Sequence, residues 1–152
     1  MGKDKLKRFA EIETFDNVIQ PSMDEVLNGF SLKGNWHKKH FKNENPIVLE
    51  LGCGKGEYTV GMAKMFPDKN FIGVDIKGSR MWKGAKTSIE AGINNTAFLR
   101  SKVDFIEKLF GEAEVSEIWL TFSDPQPKKP RKRLTSPLFI ARYLQLLKPK
   151  GT

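Results

Sequence analysis

The sequence predicts an α/β domain whose mostly parallel sheet carries helices on both faces. Strand-length apolar runs alternate with stretches of helical spacing in the order βαβαβαβα, and parallel strands joined by crossover helices are covered on both faces. The chain of 152 residues, 39% of them hydrophobic, also has room for one such domain with its own core. In sheets of this kind ligands sit outside the carboxyl ends of the strands, so chemistry is expected there.

Residues 1–45 stand apart from the pattern. They are rich in charge, include "QPSMDEV" and "KGNWHKKHFKNENP", and show neither a clean strand nor a long helix. They are expected to form a basic N-terminal arm lying on the domain made by 46–152. The strands are "IVLEL" (Ile47 to Leu51), "NFIGV" (Asn70 to Val74), "TAFL" (Thr96 to Leu99) and "EIWLTF" (Glu117 to Phe122). Between them, Tyr58, Met62, Met65 and Phe66 can share one helical face, Met81, Trp82, Ala85 and Ile89 a second, and Val103, Ile106 and Phe110 a shorter third. A last helix is predicted with Ser136 as its cap, Pro137 in its first turn, and Ile140, Tyr143, Leu144 and Leu147 along one face until "KPKGT" stops it. Gly151 and Thr152 fall where the next strand would begin, so the sheet is expected to lack its C-terminal strands.

Composition excludes several classes. No apolar run approaches the roughly 20 residues of a membrane span, and "MGKDKLKRFAEIETF" lacks the apolar stretch of a signal peptide. A cytoplasmic protein with no membrane partner is expected. Cys53 is the single cysteine, which rules out an internal disulfide and a cysteine-rich metal site. The net charge of +8 suits a polyanionic partner, although surplus lysine also serves solubility.

The first chemical motif is "LELGCGKGEYT". A strand runs into Gly52, Gly54 and Gly56, which allow a tight turn and close backbone approach to a ligand before a helix begins. The G-x-G-x-G spacing is neither the dinucleotide fingerprint nor a phosphate loop. Glu50, two residues before the first glycine, would repel a pyrophosphate and suits a cationic cofactor such as the sulfonium of S-adenosylmethionine. Asp75, ending "FIGVD", is placed to accept hydrogen bonds from both hydroxyls of a ribose; its bland alternative is the N-cap of the next helix. Lys77 and Arg80 read as a solvated helix start.

The second motif, "TFSDPQPKKPRKRL", follows the fourth strand. N7 of guanine presents a bare lone pair to an incoming methyl group, and its methylation makes the ring cationic. A nearby carboxylate would lower that barrier or hold the N–H groups of the guanine's opposite edge. Asp124 can serve either role, with Pro125 and Pro127 limiting its freedom. Lys128, Lys129, Arg131, Lys132 and Arg133 would then hold phosphates; a solvated loop is the alternative.

Together "KLKRFAEIETFDNVIQP", "VLELGCGKGEYT", "FIGVDIKGSRMW" and "EIWLTFSDPQPKKPRKRLTSPLFIARYLQLLKPKGT" resemble the bacterial tRNA (guanine-N7-)-methyltransferases, which modify the variable-loop guanine of tRNA. The resemblance implies a Rossmann-like class I S-adenosylmethionine-dependent methyltransferase fold acting on tRNA. It places the cofactor carboxylates on Glu50 and Asp75, the catalytic or cofactor-facing aspartate on Asp124 and a substrate-contacting lysine on Lys128. It also implies that the lysine-rich arm is a tRNA-binding extension.

Three departures stand out. Gln126 occupies a position where many members have tryptophan. The further cofactor-side aspartate falls on Lys102, with Asp104 two residues on. The family also continues for several dozen residues beyond this chain, so weak cofactor binding and poor methylation by this chain alone are expected.

Other residues carry less. His37 and His40 read as surface or RNA-facing, and no metal is expected. Trp36 and Phe41 are read as anchoring the arm, with base stacking as the alternative. Trp82 and Trp119 are read as core or cleft wall, and Cys53 as a space-filler. The sequence leaves the oligomeric state open, a monomer being the default. The rival readings are methylation of an exocyclic amine of RNA and a non-catalytic RNA-binding remnant of the fold.

Overall fold

The computed structural model describes residues 2–120, 137–149 and 151. The elements are α1 (Gly2–Ile12), β1 (Val18–Ile19), α2 (Met23–Asn28), a π-helical turn (Trp36–Phe41), β2 (Ile47–Leu51), α3 (Glu57–Met65), β3 (Asn70–Asp75), α4 (Gly78–Glu90), β4 (Thr96–Arg100), a 3-10 turn (Val103–Phe105), α5 (Ile106–Leu109), β5 (Glu117–Leu120) and α6 (Pro137–Leu146). The strands form one sheet in the order β1-β4-β3-β2-β5, and every pairing is parallel. This is a Rossmann-like α/β architecture. The chain winds from β2 through β3 to β4 on one side and then crosses to place β5 on the other side of β2. The order therefore reverses at β2, and the crevice outside its carboxyl end is where such sheets bind ligands.

Burial explains the strand composition. Every residue of β2 is buried, as are all of β3 except its terminal Asp75. Ile47, Leu49, Leu51, Ile72, Val74 and Leu99 face a core completed by Trp36, Ile106, Leu109, Phe110, Phe139 and Tyr143. The opposite face packs Phe98 against Met81, Ala85 and Val60, and Val48 and Phe71 against Ala63. Burial of apolar surface on both faces, at about 25 cal/mol per Å², supplies the main driving force.

Residues 2–45 are more structured than their charge suggested. α1 was hidden because cations interrupt its apolar positions, yet it packs on α4 and buries Ile12. There Arg8 and Lys86 lie over the Trp82 ring, at 4.5 and 4.9 Å from its centroid, and Lys86 pairs with Glu11 at 3.3 Å. α2 starts in a capping box, Ser22 and Glu25 each bonding the other's backbone N–H at 3.1 Å. Trp36 is fully buried, stacks on Phe110 and donates its indole N–H to the Leu109 carbonyl at 2.9 Å, so it anchors the segment. The buried Glu114 carboxylate accepts N–H groups of Gly34, Trp36 and Gly111 at 2.9, 3.1 and 2.8 Å.

Three helical faces differ from expectation. α4 buries Met81 and Ala85 but leaves Ile89 exposed. α3 buries Thr59, Val60 and Ala63, leaving Tyr58, Met65 and Phe66 exposed. α6 buries Phe139, Tyr143 and Leu146, one position round from the expected stripe, and exposes Ile140 and Leu144. In α3 the larger apolar residues suggested one face and the smaller, closer-packing ones are buried on another. Trp119 is 48% exposed and belongs to no core. His37 and His40 are half-buried: His37 Nε2 donates to the Asn45 carbonyl at 2.9 Å, and His40 packs edge-on against Trp36 and Phe41. Burial lowers the pKa of His40, with Asp16 opposing and Lys42 reinforcing the shift.

Candidate active site

The loop between β2 and α3 takes its shape from what surrounds it. Gly54 and Gly56 have φ of 56° and 76°, in the left-handed region that side chains rarely adopt. At Gly56 a Cβ would also lie 2.5 Å from the Phe98 ring, so no other residue fits. The loop is tied to the end of β3: the N–H groups of Gly52 and Cys53 both donate to the Val74 carbonyl, at 2.8 and 3.0 Å.

Asp75 is held by three backbone N–H groups. One carboxylate oxygen accepts the Gly54 N–H at 2.9 Å and the other the Lys77 N–H at 3.0 Å. Its backbone carbonyl accepts the Ser101 N–H at 3.0 Å. Each carboxylate oxygen carries more than one lone pair, so the held carboxylate keeps acceptor capacity for two adjacent hydroxyls. Asp75 therefore closes the turn into α4 and faces a cleft, but the N-cap position of α4 is Lys77 and not Asp75, as the bland alternative had it.

That cleft, about 320 Å³, is lined by Gly52, Cys53, Gly54 and Asp75 and rimmed by Lys55, Glu57, Tyr58 and Arg80. Glu50 lies beneath it, 2% exposed, and accepts the Thr59 hydroxyl at 2.7 Å. Cys53 is buried in the wall, and burial first, then the charges of Asp75 and Glu50, raise its pKa well above the ordinary thiol value. Such a thiol stays protonated and is a poor nucleophile.

The structure therefore brings together Gly52, Gly54 and Asp75, sets Glu50 below them, and uses Gly56 to start α3. Lys102 is exposed just beyond β4 and does not line the cleft, and Asp104 is exposed in the following 3-10 turn. Asp124, Gln126, Lys128, Lys129, Arg131, Lys132 and Arg133 lie outside the described residues, as does Ser136. Sequence reasoning gave no role to Thr59, Tyr58 or Ile76 and read Arg80 as solvated surface. Ile76, 48% exposed directly after Asp75, offers an apolar face at the strand end. The usable signal was position: each sits within a turn of a glycine loop or a strand-terminal acid. A larger cavity of about 590 Å³, between Lys33, Phe110, Leu147 and Lys148, lies at the opposite end of the sheet, away from these groups.

A family model described as "Putative methyltransferase" matches residues 44–152. The chain is 59% identical to a tRNA (guanine-N(7)-)-methyltransferase of Bacteroides fragilis, over 99% of this chain and 60% of that protein. It is 57% identical to one of Christiangramia forsetii, over 99% of this chain and 68% of that protein. The chain thus spans about 60% of the length of the Bacteroides relatives it matches. Among solved structures, the antibiotic-resistance methyltransferase Kmr superimposes with a TM-score of 0.60 at 22% identity, over 75% of this chain and 60% of that one. A 16S rRNA adenine methyltransferase of Catenulisporales acidiphilia, crystallised with the cosubstrate SAM, gives 0.60 at 18% identity, over 76% and 57%. These structures establish the fold, which is that of class I SAM-dependent methyltransferases. With the identity to the Christiangramia protein, two thirds of which this chain covers, they lead to one assignment: the chain belongs to the tRNA (guanine-N(7)-)-methyltransferase family.

Proposed function

We propose that the protein transfers a methyl group from S-adenosylmethionine to N7 of a guanine in tRNA, the variable-loop guanine named by the sequence resemblance. The observation that carries the cofactor half is Asp75, whose carboxylate is held by two backbone N–H groups beside a glycine loop. A pre-set acceptor pair of this kind suits the vicinal hydroxyls of a ribose, and Ile76 supplies an apolar face next to it for a base. The choice of guanine N7 and of tRNA rests on the name that the relatives carry.

S-adenosylmethionine would supply an electrophilic methyl group on a sulfonium centre. The guanine N7 lone pair would form the new bond as the sulfur–methyl bond broke, which would leave a cationic ring and S-adenosylhomocysteine with no proton released at N7. Asp124 would stabilise that cation or hold the guanine's opposite edge. Lys128, Lys129, Arg131, Lys132 and Arg133 would bind phosphates, and the lysines of the 1–45 arm would extend that contact beside the 46–152 catalytic domain. Glu50, Gly52, Gly54, Gly56 and Asp75 are assigned to the cofactor, and Lys102 takes the place of the family's further aspartate. Acting on tRNA, the protein would work in the cytoplasm.

The test is transfer of labelled methyl groups to tRNA followed by nucleoside analysis. Label in 7-methylguanosine supports the proposal. Label on an exocyclic amine, or RNA binding without transfer, overturns it.

A further inference from the structure

Arg100 ends β4 in register with Asp75 and reaches across the start of α4. Its Nε donates to the Ile76 carbonyl at 3.2 Å, its Nη1 donates to Gln20 Oε1 at 3.0 Å, and its guanidinium lies over the Phe9 ring of α1, 4.7 Å from the centroid. The path is open because Gly78 has no side chain: a Cβ there would sit 3.0 Å from Arg100 Cδ and Nε and from Ile12. One side chain thus touches α1, the segment after β1 and the turn that carries Asp75.

Among the described residues the turn is otherwise tied through Asp75 and through the Lys77 carbonyl, which accepts the Arg80 and Met81 N–H groups at 3.1 and 3.4 Å. The aspartate's side chain holds Gly54 and Lys77, and its carbonyl holds Ser101, but the next carbonyl, that of Ile76, is held by Arg100 alone among the described residues. The direction of the Ile76 side chain, the apolar face beside the ribose acceptor, follows from how that peptide is oriented. A group that fixes the peptide from outside the cleft lowers the cost of ordering it when a nucleoside binds.

On the reading of the cleft as a nucleoside-cofactor site, we propose that Arg100 is a positioning residue that makes cofactor affinity depend on the docking of α1. With α1 in place, the Phe9 ring holds the guanidinium over the rim and the Ile76 peptide is pre-set. With α1 displaced, the guanidinium swings into solvent and the turn loosens. By reciprocity, cofactor binding strengthens the attachment of α1.

The test is calorimetric binding of S-adenosylhomocysteine to the protein and its variants. Arg100→Ala is expected to weaken binding about tenfold, the scale of one lost charge-assisted hydrogen bond. Phe9→Leu, which keeps an apolar contact for α1 but removes the ring, is expected to weaken it about threefold. Adding Phe9→Leu to Arg100→Ala should cost nothing more, because the path is already cut. A merely structural role would give independent losses, so additive effects overturn the proposal, as do wild-type affinities in both single variants. If Arg100→Ala fails to fold, Phe9→Leu decides alone: unchanged affinity refutes the coupling. Absence of binding by the unsubstituted protein overturns the cofactor reading itself, and this inference with it.

Discussion

Thr59 donates its hydroxyl to the buried carboxylate of Glu50 at 2.7 Å, joining the first turn of α3 to the middle of the sheet. The bond sits under the glycine loop and fixes where α3 begins. Thr59→Val keeps the shape but removes a donor from a buried charge. It is expected to destabilise the protein by about 1–3 kcal/mol in urea denaturation, whereas Thr59→Ser stays within about 1 kcal/mol.

Glu114 joins residues far apart in sequence, accepting from Gly34, Trp36 and Gly111. Glu114→Ala should cost about 3 kcal/mol by leaving three backbone donors without their carboxylate. The loss should be local in its first effect. Hydrogen exchange is expected to rise across 34–41 and 109–111 before it rises in β2 or β3.

The Cys53 thiol has its pKa raised by burial and by neighbouring carboxylates. The folded state therefore binds the thiol proton more tightly than the unfolded chain does. Stability from this group is fully present below the ordinary thiol value, near 8.5, and falls as the pH climbs above it. Iodoacetamide at pH 8 should label Cys53 slowly in the native protein and rapidly in urea. Fast native labelling would contradict the burial argument.

Asp124 lies outside the described residues, and its role is a proposal that mutation can settle. Asp124→Ala is expected to abolish methyl transfer while tRNA affinity, measured by filter binding, stays within about threefold, because a base-facing carboxylate adds little to phosphate-driven affinity. Unchanged turnover would remove Asp124 from the mechanism.

The four main strands and the glycine loop were legible because each is a local pattern. "IVLEL" is buried on both faces and reads as an apolar run broken only by Glu50, and "GCGKG" marks a strand-to-helix turn by its glycine spacing alone. β1 was not legible: two residues, Val18 and Ile19, form a strand only because β4 offers them an edge. α1 was hidden by its lysines, and the inner face of α3 by exposed Tyr58, Met65 and Phe66. The capping box of Ser22 and Glu25 could have been read and was missed. Glu114, Thr59 and Arg100 act through partners distant along the chain or across a turn, and no local periodicity reports such contacts. Asp75 was legible as the acid that ends β3, but its grip on Gly54 and Lys77 came from the geometry.

Gly56 and Gly84 pack backbone to backbone beside the Phe98 ring: a Cβ on Gly84 would stand 2.7 Å from the Lys55 carbonyl, 2.9 Å from Phe98 and 3.1 Å from the Gly56 Cα. The mould of the cleft is therefore kept on α4 and β4 as much as in the loop. Grafting "LGCGKGE" onto another sheet would carry over the flexibility of the loop without its form. A working transplant would have to bring Gly84 and Phe98 as well, and a smaller residue at 98 would not make room for a side chain at 84, because the Lys55 carbonyl stands nearer still. The unit of inheritance here is three strangers in sequence that share one contact.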